Sequence, residues 1–187
     1  MKSGIKRQAA IYFDACVYLA FLKNETDYGA VPLNAIKHVW NEAQKGAQVI
    51  ATSAITVAEV LKHKLDVKTS KVFLEAIRGL HICIDSDIEI AIKAGEYRTY
   101  YEKHPVIIPG SNPADKTCKR LTTPDAIHLA TCVMNGCTEF WTFDGVRQTT
   151  KKDKSIGLLW LNNSVAGTPL VICQPTLAQG MLALPPN

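Results

Sequence analysis

No run of about 18 uncharged apolar residues occurs in the chain, so a membrane-spanning helix is not expected. The six cysteines, Cys16, Cys83, Cys118, Cys132, Cys137 and Cys173, form no CxxC pair, and even Cys132 and Cys137 are separated by four residues. Such spacing favours free buried thiols over zinc sites or disulfides, and with them a reducing, cytoplasmic compartment. No low-complexity stretch divides the 187 residues, of which 47% are hydrophobic and 20% charged, so one globular domain with a sizeable core is expected. Charge of one sign is not strongly in excess. The net charge of +4 suits a polyanionic partner, yet the same balance is common in proteins that never meet one. Lys2, Lys6 and Arg7 precede an apolar stretch as in a signal peptide. Asp14 interrupts that stretch and no small-residue cleavage pattern follows, so no secretory signal is expected.

What the chain does have is two acids at the ends of short apolar runs. Ala9-Ala10-Ile11-Tyr12-Phe13 ends at Asp14, and Phe140-Trp141-Thr142-Phe143 ends at Asp144. A charge at the C-terminal tip of a buried strand usually points into a site. Between these runs the pattern predicts a helix from Ala15 to Lys23 and a longer one from Val31-Pro32 to about Lys45, closed by Gly46. A strand over Gln48–Ala51 follows, then a helix from Ala54 to about Leu65 that Ser53 would cap through its hydroxyl. A helix from Lys68 to Gly79 leads into a buried strand, Leu80–Ile84, and Ser86 or Asp87 would cap the next helix, ending near Glu102.

His104 to Arg120 breaks the pattern with Pro105, Pro109, Gly110 and Pro113 and carries Lys116, Lys119 and Arg120. Irregular excursions of this length are usually functional or mobile. Thr123-Pro124-Asp125 then reads as a helix start, with Thr123 as N-cap, and the helix runs to about Asn135. After Asp144 come the basic turn Arg147 to Lys154 and the apolar Ile156 to Leu161, while Pro169–Cys173 can add an edge strand. Strands alternating with helices imply an α/β fold with a mainly parallel sheet and helices on both faces. The expected division is a main domain over 1–161 and a C-terminal extension over 162–187.

Asp14, Glu59, Asp125 and Asp144 occupy places that can converge at the carboxyl edge of such a sheet. Two carboxylates about 4 Å apart repel by roughly 4 kcal/mol at an effective dielectric near 20. Either a divalent cation sits among them, or some are protonated, or they are not together. Oxygen-only ligands would favour a hard ion such as Mg²⁺ or Mn²⁺. Singly, each acid has a plainer role: Asp125 as a helix-capping acid, Glu59 as a surface partner of Lys62 or His63, Asp144 as the start of an Asp-Gly turn. Asp14 is the hardest to explain that way. His128, three residues after Asp125, reads better as a packed histidine than as a ligand, since no further nitrogen or sulfur ligand is spaced to help. Thr142 shares the strand face of Asp144 and would either bond a phosphate or metal-bound water, or fill the pleat.

The stretches Ile11-Tyr12-Phe13-Asp14-Ala15-Cys16-Val17-Tyr18-Leu19, Ser53-Ala54-Ile55-Thr56-Val57-Ala58-Glu59-Val60, Thr123-Pro124-Asp125-Ala126-Ile127-His128-Leu129-Ala130-Thr131 and Phe140-Trp141-Thr142-Phe143-Asp144, in this order, resemble the PIN-domain family. They resemble in particular the VapC-like toxin ribonucleases of type II toxin-antitoxin systems. That resemblance implies a three-layer α/β/α sandwich and a Mg²⁺- or Mn²⁺-dependent endoribonuclease acting on RNA, with Asp14 and Asp125 as main metal ligands and Glu59 and Asp144 completing the site. It also implies a cognate antitoxin and a homodimer. Thr142 matches the family's hydroxyl residue before the last acid, and Lys116, Lys119 and Arg120 would hold RNA phosphates beside the site. The chain departs from the family at Ala15 and Cys16, where Ser or Thr is usual, so a hydroxyl contact near the metal is expected to be lost. The 104–120 excursion and the C-terminal extension also exceed a compact toxin.

Two other functions compete with the toxin. One is a PIN nuclease of RNA processing without an antitoxin, and the other is a catalytically weak PIN-like RNA-binding module. An aspartyl phosphatase would need a second Asp two residues after the first, where this chain has Cys16.

Overall fold

The computed structural model of the protein describes residues 9–106, 120–146 and 155–177. Five strands, β1 (Ala10–Phe13), β2 (Val49–Ser53), β3 (Ile82–Ile84), β4 (Glu139–Trp141) and β5 (Val171–Cys173), form one sheet in the order β3-β2-β1-β4-β5. Every pairing is parallel, as the alternation of strands and helices predicts. β1 is the central strand, and its residues are accordingly apolar on both faces.

Alternation along β1 separates two cores. Ile11 and Phe13 face a layer built from α1 (Ala15–Leu22), α2 (Ala30–Gln44), α3 (Ala54–Lys62) and α4 (Val67–Gly79), with Tyr18, Ile36, Trp40 and Phe73 at its centre. Tyr12 faces the opposite layer, formed by α5 (Ile88–Lys103), α6 (Thr123–Met134) and the 3-10 turn Leu158–Leu161. The fold is a three-layer α/β/α sandwich with a parallel sheet, as expected. Among the described residues no helix is long and apolar enough to cross a membrane.

Local chemistry explains the element ends. α2 stops where Gly46 takes φ +71°, a conformation costly for a residue with a Cβ. The Gly46 and Ala47 amides then donate back to the Ala43 and Glu42 carbonyls at 3.0 and 2.9 Å. Asp87 caps α5 by accepting the Ile90 amide at 2.9 Å.

Three sequence expectations need correction. Ser53 stands at the N-cap of α3, but its hydroxyl makes no capping bond and points instead into the buried polar cluster described below. The cap of α6 is Thr122 rather than Thr123, which places Pro124 one position further in, still within the turn where its missing amide is harmless. The strand expected over Leu80–Ile84 is shorter and only partly buried: β3 lies at the sheet edge and leaves Ile82 53% exposed. The 104–120 excursion falls mainly, and the basic turn after Arg147 wholly, outside the described residues. Beyond residue 161, β5 pairs with β4, and Val165, Leu170 and Ile172 enter the α5–α6 core.

Candidate active site

In the order β3-β2-β1-β4-β5 the chain direction of strand addition reverses at β1, and the crevice beyond the carboxyl ends of the strands at such a reversal is where open parallel sheets bind ligands. Asp14 follows β1 directly. Phe13 registers with Trp141 of β4, so the next residues along, Asp14 and Thr142, come side by side on the Tyr12 face.

Asp14 is buried, 7% exposed as a residue, and its carboxylate is fixed by three donors. Oδ1 accepts the Ala15 amide at 2.6 Å as the N-cap of α1. Oδ2 accepts the Thr142 hydroxyl at 2.7 Å and the Cys16 thiol at 3.2 Å. Cys16 thus supplies with sulfur the kind of contact that a hydroxyl was expected to make, and its Sγ also accepts the Phe143 amide at 3.1 Å. Burial pushes the Cys16 thiol well above its ordinary pKa, and the charge of Asp14 adds to this, so it stays protonated as a donor. The Thr142 hydroxyl in turn accepts the Asp144 amide at 3.0 Å, which commits it to holding Asp14 and the turn after β4.

His128 changes the site that the sequence suggested. It is buried, as a packed histidine would be, yet its Nε2 lies 2.8 Å from Glu59 Oε2 and 3.7 Å from Asp14 Oδ1. Glu59 therefore finds its partner across the crevice and not in Lys62 or His63 on its own helix. Donor atoms of Asp14, Glu59 and His128 all lie within 4.8 Å of one another, close enough to hold one metal ion. Behind the imidazole, Nδ1 lies 2.8 Å from Tyr12 Oη and 3.3 Å from Ser53 Oγ, and Tyr12 donates its own hydrogen to Ser53 at 2.8 Å. Tyr12 and Ser53 were missed as site residues. The signal for Tyr12 was its place two residues before Asp14 on the same strand face.

Asp125 opens α6 one turn before His128, and Thr122 donates its hydroxyl to the Asp125 carboxylate. Burial raises the Asp125 pKa, the Thr122 hydroxyl opposes the rise, and the negative charges of Asp14 and Glu59 add to it. Burial alone would lower the His128 pKa; the hydrogen bond to Glu59 and the charges of Asp14 and Asp125 overcome this and leave it raised. Asp125 thus shares the electrostatic neighbourhood of the three clustered residues. Asp144 Oδ2 accepts the Leu158 amide at 2.9 Å, and the Asp144 amide donates to the Thr142 hydroxyl, which in turn donates to Asp14. Arg120 is exposed and sits in a short bridge to Ser155 two residues before the α6 cap. Lys116 and Lys119 lie outside the described residues.

Comparison with solved structures finds similar folds among toxin-antitoxin proteins. VapC20 of Mycobacterium tuberculosis, a Sarcin-Ricin loop cleaving toxin, is 14% identical with a TM-score of 0.50 over 72% of this chain and 90% of that one. VapBC2 of Rickettsia felis, bound to a DNA fragment from its promoter, is 13% identical with a TM-score of 0.52 over 88% and 98%. A toxin-antitoxin complex from Klebsiella pneumoniae is 18% identical with a TM-score of 0.48 over 78% and 95%. Among curated proteins none matches the sequence. The PIN domain family model matches residues 11–151, the segment that holds Asp14, Glu59, Asp125, His128 and Asp144, and the chain belongs to the PIN-domain family.

Proposed function

We propose that the protein is a metal-dependent endoribonuclease that hydrolyses RNA phosphodiesters, and that it serves as the toxin of a type II toxin-antitoxin system in the cytoplasm. One observation carries the nuclease assignment: donor atoms of Asp14, Glu59 and His128 meet within 4.8 Å in the crevice where the strand order reverses, with Asp125 beside them. The donor set fits a divalent cation. Among the described residues the ion-pairing partner of Asp14 and Glu59 is a histidine and not a lysine or arginine, so the carboxylate charge exceeds the local positive charge.

Mg²⁺ or Mn²⁺ held there would lower the pKa of an attacking water and stabilise the charge that builds on the phosphate. The protein's own part is to hold the ligands still. Thr142, Cys16 and the Ala15 amide orient Asp14, while Thr122 orients Asp125. Asp144 fixes the turn that carries Thr142 and completes the acidic set. Lys116, Lys119 and Arg120 precede α6 and would hold the backbone phosphates of a single-stranded or looped RNA, which an acidic crevice can admit more readily than a duplex. The toxin assignment draws on the fold that the chain shares with VapC20 and VapBC2, and a cognate antitoxin and a homodimer belong to the same proposal.

The test is cutting of a mixed RNA pool with Mg²⁺, Mn²⁺ or EDTA, alongside Asp14→Asn. Metal-dependent cutting that disappears in the variant is the expected result. Cutting that persists in EDTA would sink the mechanism, and RNA binding without cutting under either metal would favour the binding module.

A further inference from the structure

The hydrogen bonds behind His128 fix which of its nitrogens faces the carboxylates. Tyr12 donates its hydroxyl hydrogen to Ser53 at 2.8 Å, so the phenol oxygen is left to accept from His128 Nδ1, also at 2.8 Å. All three side chains are buried, which removes water as an alternative partner. A neutral imidazole in this network carries its proton on Nδ1, and Nε2 is the nitrogen that faces Glu59 Oε2 at 2.8 Å and Asp14 Oδ1 at 3.7 Å. Donor atoms of Asp14, Glu59 and His128 lie within 4.8 Å of one another, so a cation taking the place of an Nε2 proton would meet all three. A histidine whose outer nitrogen donates to a buried polar partner and whose inner nitrogen meets carboxylates has the arrangement of a metal ligand with its supporting hydrogen bond.

We infer that His128 is a metal ligand through Nε2, that Tyr12 and Ser53 hold it in that tautomer, and that the nitrogen gives the site a preference for Mn²⁺ over Mg²⁺. The inference rests on the metal site proposed above. It goes beyond the four-carboxylate set, in which every protein ligand is oxygen. Mg²⁺ is served by carboxylate, carbonyl and water oxygens, whereas imidazole adds affinity for transition-metal ions. The Asp14–Glu59–His128 set is thus a mixed oxygen and nitrogen site, and its metal choice depends on a residue that contributes no charge to the acidic cluster.

The experiment is pulsed electron paramagnetic resonance of Mn²⁺ bound to the full chain, with calorimetric titrations of Mn²⁺ and of Mg²⁺, on the wild type, His128→Gln and Tyr12→Phe. The wild type should show a directly bound ¹⁴N nucleus. His128→Gln should abolish that coupling and weaken Mn²⁺ by about 10- to 100-fold, with Mg²⁺ changed far less. Tyr12→Phe should keep the coupling but weaken Mn²⁺ by about 10-fold, and it decides the matter if His128→Gln does not fold. Mn²⁺ bound to the wild type without nitrogen coupling, or an unchanged ratio of Mn²⁺ to Mg²⁺ affinity in a folded His128→Gln, would overturn the inference. Nitrogen coupling in a protein that cuts no RNA would leave it standing and end the nuclease proposal, and metal-dependent cutting without nitrogen coupling would do the reverse.

Discussion

Burying a carboxylate as deeply as Asp14 costs several kcal/mol unless donors replace the lost water. The Thr142 hydroxyl is one such donor, and through the Asp144 amide it also holds the turn after β4. Thr142→Val should lower stability by about 1–3 kcal/mol in a urea melt. The same variant should slow RNA cutting by about 10- to 100-fold, while Thr142→Ser restores both. His81 offers a second test at this scale, away from the crevice. It is buried against Trp40 and Tyr18, and burial lowers its pKa to about 4. A base whose folded pKa lies below its unfolded value of 6.5 adds no proton penalty above 6.5, and its stability contribution is lost as the pH falls from there towards 4. Between pH 7 and 5 the loss should be about 2 kcal/mol. His81→Gln should therefore show a flatter dependence of urea midpoint on pH over that range, and identical slopes would mean that His81 is not held neutral.

Helix ends show which local signals the sequence carries faithfully. Gly46, Asp87 and the Pro124 region were legible, because capping depends on residues within a turn of each other. The one-residue shift from Thr123 to Thr122 arose because two adjacent threonines precede Pro124 and both have capping hydroxyls. Thr122→Ala should cost about 1 kcal/mol by thermal melting, while Thr123→Ala should cost a few tenths at most. Ser53 misled for a different reason. Its hydroxyl has Tyr12 and His128 as partners, and both are brought to it from other elements, 41 and 75 residues away in the chain. The partial exposure of β3 was equally hidden, because an apolar strand of three residues reads alike at an edge and in the centre.

At the scale of the molecule, the sheet does not end with the segment that the family model matches. β5 covers the edge of β4, and Val165, Leu170 and Ile172 are buried beyond residue 161. Burying each of these three is worth about 1.5–3 kcal/mol, comparable in total with the whole stability of a typical domain, about 5–15 kcal/mol. A chain ending at residue 161 should be unfolded or aggregated by circular dichroism and gel filtration. A monomeric, cooperatively melting 1–161 product would show that the tail is a dispensable addition. Metal should act on the whole fold as well: Mn²⁺ at about 100 times its Kd should stabilise the native state by roughly 2.7 kcal/mol, read as a rise in melting temperature that Asp14→Asn removes.

The sequence by itself determined the alternation of strands and helices, the parallel sheet, and the placing of Asp14 after the first strand, because each follows from local periodicity, capping and strand length. It also carried the order of motifs that marks the family. Only the tertiary structure decided which acids meet. Asp14, Glu59 and His128 come from the end of β1, from α3 and from α6, and their separation of a few ångströms depends on strand order and on the packing of α3 and α6 across the crevice. The role of His128 was hidden for the same reason: its burial follows from its helix face, but its two partners, Glu59 and Tyr12, lie 69 and 116 residues away.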